Sequence, residues 1–175
     1  MIQTARTIMA LVLLAAAGPG CAPALNWREV TPPGAELRVM FPCKPEQESR
    51  AQPGPAGRTL NVNSFSCKAQ DGQYSLTWVD LGAAADVPPA LKRMREQMAR
   101  AMVPGASAPL TIAGMTPDPS AGQQRWDARP GTSGPAVRQA VFASGPRLYQ
   151  LLLQRSPIDD EAWDVFLGSV VLTNR

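Results

Sequence analysis

The sequence predicts an α+β domain built on a largely antiparallel β-sheet. Three observations carry this. Segments with strand periodicity come in runs separated by single helical segments, a segregated order that indicates α+β rather than a doubly wound parallel sheet. Most strand segments are joined by short turns, for which Pro (18) and Gly (14) supply the residues, and short turns connect antiparallel neighbours. No nucleotide-binding glycine fingerprint follows a strand segment.

Its 175 residues suit one domain plus an export segment, and 45% apolar residues suffice for a core. Lys and Arg (17) exceed Asp and Glu (14) by too little, and too diffusely, to make a nucleic-acid interface. Histidine is absent, which removes the commonest general base and metal ligand, and with them Ser-His-Asp and Cys-His catalysis.

Residues 1–20 read as a signal peptide. Arg6 is followed by the apolar run from Ile8 to Ala17, too short for a membrane span of about 20 residues, and then by small residues. Cleavage has two readings. Ala22-Pro23-Ala24 fits ordinary signal peptidase and would leave Leu25 first. Gly18-Pro19-Gly20-Cys21 resembles a lipobox in which Cys21 is acylated, although Gly18 and Pro19 depart from the usual Leu and small residue. Ala22, not being Asp, resembles the outer-membrane sorting case. Either reading removes Cys21 from disulfide chemistry. Cys43 and Cys67 then remain as a pair in an oxidising compartment, where a disulfide persists.

Residues 26–175 form the single α+β domain. Asn26 to Val30 is a short strand ended by Pro32-Pro33-Gly34. Glu36 to Phe41 is a second, with Leu37, Val39 and Phe41 on one face and Pro42 at its end. Glu46 to Ala51 carries Glu46, Glu48 and Arg50, which suit an exposed edge. After a Pro/Gly turn, Thr59 to Lys68 alternates, and Asp71-Gly72 signals a hairpin into Tyr74–Leu81, a central strand covered on both sides. Asp86-Val87-Pro88-Pro89 opens a helix with Leu91, Met94, Met98, Ala101 and Met102 on one stripe, closed by Pro104-Gly105. Ala108 to Ile112 is a brief strand, followed by a loop over 114–122. Strands follow at 123–128, 136–143 and 148–154. Ser156 is the expected cap of a second helix, with Pro157 at its first position, and Val170-Val171-Leu172 closes the chain.

Several of these stretches resemble PsbP-like domains. Phe41-Pro42-Cys43-Lys44-Pro45 after Trp27 is similar to the family's "FPgkP" start, with Cys43 in place of glycine. Tyr74 to Asp80 fits a following strand, and Ala162 to Leu172 is similar to the "a..Fl.SF.l" ending, with Val170 in place of an aromatic. The resemblance spans about residues 26–172. It implies an α/β/α sandwich, with helices on the faces of an antiparallel sheet, and a non-catalytic accessory or binding role. It transfers no functional residue.

Four side-chain sets bear on possible chemistry. Met94, Met98 and Met102 offer soft ligands for Cu(I), but helical spacing gives the same stripe as core filler. Lys92, Arg93, Arg95 and Arg100 read as a solvated face rather than a docking face, because Glu96 interrupts them. Asp159, Asp160, Glu161 and Asp164 lack calcium-loop spacing and suit a helix N-terminus. Asp71, Asp80, Asp86, Asp118 and Asp127 present no acid/base pair, and several flank turn residues. The expectation is therefore a periplasmic or outer-membrane-anchored envelope protein with no catalytic residue, metal or cofactor, acting on an envelope protein partner. The alternatives are a carrier whose sheet and Met-rich helix enclose an apolar cleft, and a carboxylate-based hydrolase.

Overall fold

The computed structural model describes residues 25–173, with the backbone alone at Ala56. In chain order it contains β1 (Arg28–Val30), β2 (Leu37–Phe41), β3 (Glu46–Pro53), β4 (Thr59–Ala69), β5 (Gly72–Asp80), α1 (Val87–Ala101), β6 (Val103–Ala108), β7 (Gly122–Asp127), β8 (Ala136–Ser144), β9 (Arg147–Arg155), α2 (Asp160–Gly168) and β10 (Val171–Leu172). Seven strands form one antiparallel sheet in the order β3-β4-β5-β9-β8-β7-β6. The α+β class and the antiparallel sheet match the reading of the sequence. The chain is richer in sheet than expected, because β1, β2 and β10 make a second, three-stranded sheet.

Strand alternation divides the large sheet into two faces, each with its own core. On the first, Tyr74, Leu76 and Trp78 of β5, Ala140 and Phe142 of β8 and Tyr149, Leu151 and Leu153 of β9 meet two layers of cover. One is the small sheet, through the fully buried Leu37, Val39 and Phe41. The other is α2, through Ala162, Trp163, Phe166 and Leu167. Burying an aliphatic or aromatic side chain of this size stabilises by about 1.5–3 kcal/mol. On the second face, Val79, Val141, Ala143 and Leu148 receive Val87 and Leu91 of α1. The helix stripe holds in part: Leu91 is fully buried and Met94 and Met98 are half-buried, whereas Ala101, expected on the stripe, is exposed because the end of α1 lifts off the core. Gln139 and Gln124 are also buried on this side, held by Trp126 Nε1–H donating to Gln139 Oε1 (2.8 Å) and by Gln124 Nε2 donating to the Gly105 carbonyl (2.6 Å).

Four local expectations are corrected. Pro104 and Gly105 do not merely stop α1; they lie inside β6, so the strand placed at 108–112 runs earlier. As an edge strand β6 tolerates a proline, and its register shifts between Pro104 and Ser107. The β4–β5 turn places Gln70 and Asp71, both at positive φ (46° and 59°), at its centre, and Gly72 already pairs with Ala69. The cap of α2 is Asp159, whose Oδ1 accepts from the Ala162 N–H (2.9 Å). Ser156 precedes a cis Pro157 and its Oγ instead accepts from the Ala136 N–H (2.9 Å). Finally, β5 is only partly covered on its α1 side, since Ser75 and Thr77 remain half-exposed.

Tyr149 and Tyr74 are both fully buried, and burial pushes both phenols above their usual pKa. Tyr149 Oη donates to the Ala35 carbonyl (2.8 Å), whereas Tyr74 Oη has no hydrogen-bond partner among the described residues. A buried polar group without a partner is costly, so Tyr74→Phe is expected to raise stability by about 1 kcal/mol. A urea titration showing Tyr74→Phe less stable than the parent would contradict this.

Candidate functional site

The helix α1 contacts β8, β9 and β6. It therefore covers the β3–β4–β5 half of its face only in part, along Val79. The result is a groove of about 520 Å³ between α1 and the half-sheet. Its floor is Leu60 and Val62 of β4 with Thr77 and Val79 of β5, and Leu81 and Leu148 lie beneath the helix. One wall is Pro89, Ala90, Arg93, Met94 and Gln97 of α1; the other is Gln52 to Pro55, where β3 ends. The volume lies within the roughly 300–1,000 Å³ of ligand pockets.

The groove's shape follows from specific residues. Arg58 Nη2 meets Asp86 Oδ2 at 2.6 Å and ties the loop after β3 to the start of α1. Gly54 fits because a Cβ there would stand 2.5 Å from Leu60 Cγ. Amide side chains recur along the lining: Gln52 from β3, Gln97 from α1 and Gln150 from β9. Each carries both a donor and an acceptor. Asp86 is the one carboxylate among the lining residues, and it already holds Arg58.

The side chains singled out in the sequence fall as follows. Cys43 and Cys67 are joined in a disulfide, with Cα atoms 6.0 Å apart. Cys43 follows β2 and Cys67 lies in β4, so the bond staples the small sheet to the large one. Cys21, with the signal segment 1–20 and the alternative cleavage after Ala24, lies outside the described residues. Met94 packs against the α1-side core and lines the groove, while Met98 and Met102 are half-buried further along. The four cations of α1 diverge. Arg93 faces the groove, Lys92 pairs with Glu96 (3.9 Å), and Arg95 reaches Gln124 Oε1 (3.4 Å). Arg100 contributes its carbonyl to Arg129 (2.7 Å).

The acids do not converge. Asp159 caps α2 and pairs with Arg155 (2.8 Å), and Asp160 pairs with Arg138. Glu161 shares the first turn of α2 and Asp164 sits further along it. Asp80 accepts from the Gly82 N–H (2.8 Å) and pairs with Arg147. Asp118 accepts from the Ser120 N–H (2.7 Å), Asp127 pairs with Arg125 (3.0 Å), and Asp71 is in the β4–β5 turn. Among the described residues no three His, Cys, Asp or Glu side chains gather as a metal site. Arg147 also holds Glu36 (2.6 Å). Partial burial would lower its pKa, but interaction with Glu36 and Tyr149 outweighs this and keeps it above the ordinary arginine value.

The groove itself was only half legible. Period two puts Leu60 and Val62 on one face of an alternating strand and Val79 in a strand expected to be covered on both sides, and Met94 falls on the helix stripe. Nothing in periodicity says which half of a sheet a helix will cover. Comparison with protein-family models, with curated proteins and with solved structures finds no match for the chain.

Proposed function

We propose that this is an exported, non-catalytic accessory domain of the bacterial envelope, of the PsbP-like α/β/α kind, which holds an extended apolar segment of a partner protein in the groove beside α1. One observation carries the reading. The apolar floor of Leu60, Val62 and Val79 is accompanied by Gln52, Gln97 and Gln150. Such amides match the peptide groups of an extended chain, while apolar side chains enter the trough. The export segment and the Cys43–Cys67 disulfide support an oxidising compartment, the periplasm, with acylated Cys21 as the alternative to a soluble mature form. The dispersal of the carboxylates gives a hydrolase no acid pair in the groove.

The groove volume favours a second reading, a carrier for a small apolar ligand such as an acyl chain. A photocrosslinking side chain at Met94 separates the two in intact cells. Adducts to one protein species, reduced about tenfold (a ~1.4 kcal/mol loss of binding) by Ala90→Trp, are the expected result. Adducts to lipid alone would transfer the site to the carrier reading. Adducts that ignore Ala90→Trp would remove the groove from both.

A further inference from the structure

The strand β3 is an open edge of the large sheet. Among the described residues it pairs with β4 alone, and all its residues are exposed. Its register with β4 continues into the bond from the Gly54 N–H to the Arg58 carbonyl (2.7 Å). Hydrogen-bonded pairs alternate along an antiparallel ladder. The even-numbered residues of β3 therefore turn their backbone groups toward β4, and the odd-numbered ones turn theirs outward. The outward N–H groups are those of Gln47, Ser49 and Ala51. Pro45 and Pro53, next in the same series on either side, have none to offer. Free donors are thus confined to a short window, and Ser49 is its midpoint.

We propose that β3 pairs with β3 of a second copy of this chain, antiparallel and centred on Ser49, so that two large sheets join into one. In this register Ser49 meets Ser49 and Gln47 meets Ala51, so every outward N–H finds a carbonyl, and the ladder ends where Pro45 faces Pro53. Glu48 falls opposite Arg50 of the second copy, and Arg50 opposite its Glu48. Both are non-hydrogen-bonded pairs, where side chains approach most closely. Within one chain these two residues can only pair with each other along the strand, 3.1 Å apart and largely exposed. The nearest alternative registers with the same backbone geometry set Glu48 against Glu48, or Arg50 against Arg50. Like charges directly opposite destabilise a strand pair. In the first of these Glu46 gains Arg50 as a partner, but only with the Glu48–Glu48 repulsion at the centre, so the charges that guard this edge against indiscriminate pairing favour the register centred on Ser49. The contact is isologous and closes on itself as a two-fold dimer. Its axis is perpendicular to the sheet, so both grooves lie on the same side of the joined sheet. This holds whatever occupies the grooves.

Sedimentation equilibrium of the oxidised mature chain over a concentration series tests the pairing. The parent is expected to dimerise weakly. Arg50→Glu should weaken the dimer by about tenfold, since two cross-strand pairs become repulsive. Glu48→Arg combined with Arg50→Glu should restore it, because each swapped charge again meets its opposite. Ser49→Pro removes the central outward donor without touching the β4 ladder and should leave a monomer. The charge-swap pair tests the register in folded protein independently of Ser49→Pro. A parent that sediments as a monomer throughout overturns the proposal and leaves the edge to a strand from another protein. A dimer indifferent to Arg50→Glu, or not recovered by the double swap, overturns this register.

Discussion

Replacing Phe166 with alanine is expected to lower the unfolding free energy by about 4 kcal/mol, among the largest effects of any single substitution in this chain. Phe166 is fully buried on α2 and meets three rings edge-on: Phe41 at 5.1 Å, Tyr74 at 5.6 Å and Trp163 at 6.3 Å between centroids. It therefore touches the small sheet, the large sheet and its own helix. Alanine would leave a cavity shared by all three, which the surrounding rings cannot fill by small shifts. The melting temperature should fall by about 12 °C for a domain of this size. Phe166→Leu, which keeps most of the volume, should cost less than about 1.5 kcal/mol. A measured loss for alanine below about 1 kcal/mol would mean that α2 is not packed as described.

Removing the disulfide is the second large effect. The link spans a sequence separation of 24 residues, and in the chain-entropy model a loop of that length contributes about 3.5 kcal/mol by restricting the unfolded chain. The double variant Cys43→Ser, Cys67→Ser should lose about that much in a urea titration. Reduction of the parent with thiol should reproduce the shift. Because the bond crosses from the end of β2 to β4, its loss also frees the small sheet from the large one at that corner. Equal midpoints for oxidised and reduced protein would show that the unfolded chain is already constrained there.

Much of the large sheet can be read from residue order alone. Tyr74, Leu76 and Trp78, and Tyr149, Leu151 and Leu153, alternate cleanly because one face of each strand is fully buried. The disulfide was legible because reading Cys21 as part of an export segment leaves Cys43 and Cys67 as the expected pair. Elsewhere local pattern failed for identifiable reasons. Val171 and Leu172 are too few to show a period, so their pairing with β2 is visible only in three dimensions. Pro104-Gly105 is a sound helix stop, and the same residues are tolerated in an edge strand; sequence cannot separate the two uses. At α2, Ser156 and Asp159 are both good caps, and the choice fell to the one whose partner N–H lay at hand, with Ser156 drawn to β8. The candidate site was the least legible feature. A half-covered sheet face has the same apolar residues as a fully covered one.

The small sheet also bears on when the fold can close. Its middle strand, β2, comes early, yet one of its two neighbours is β10, at residues 171–172. The Thr173 N–H donates to the Glu36 carbonyl (2.8 Å) and Ser169 Oγ accepts from the Met40 N–H (2.8 Å), extending the same seam. A chain emerging N-terminus first would hold β2 with one edge unpaired until residues 171–173 had emerged. Closure of the small sheet is thereby postponed until the whole of the large sheet and α2 are available to receive it.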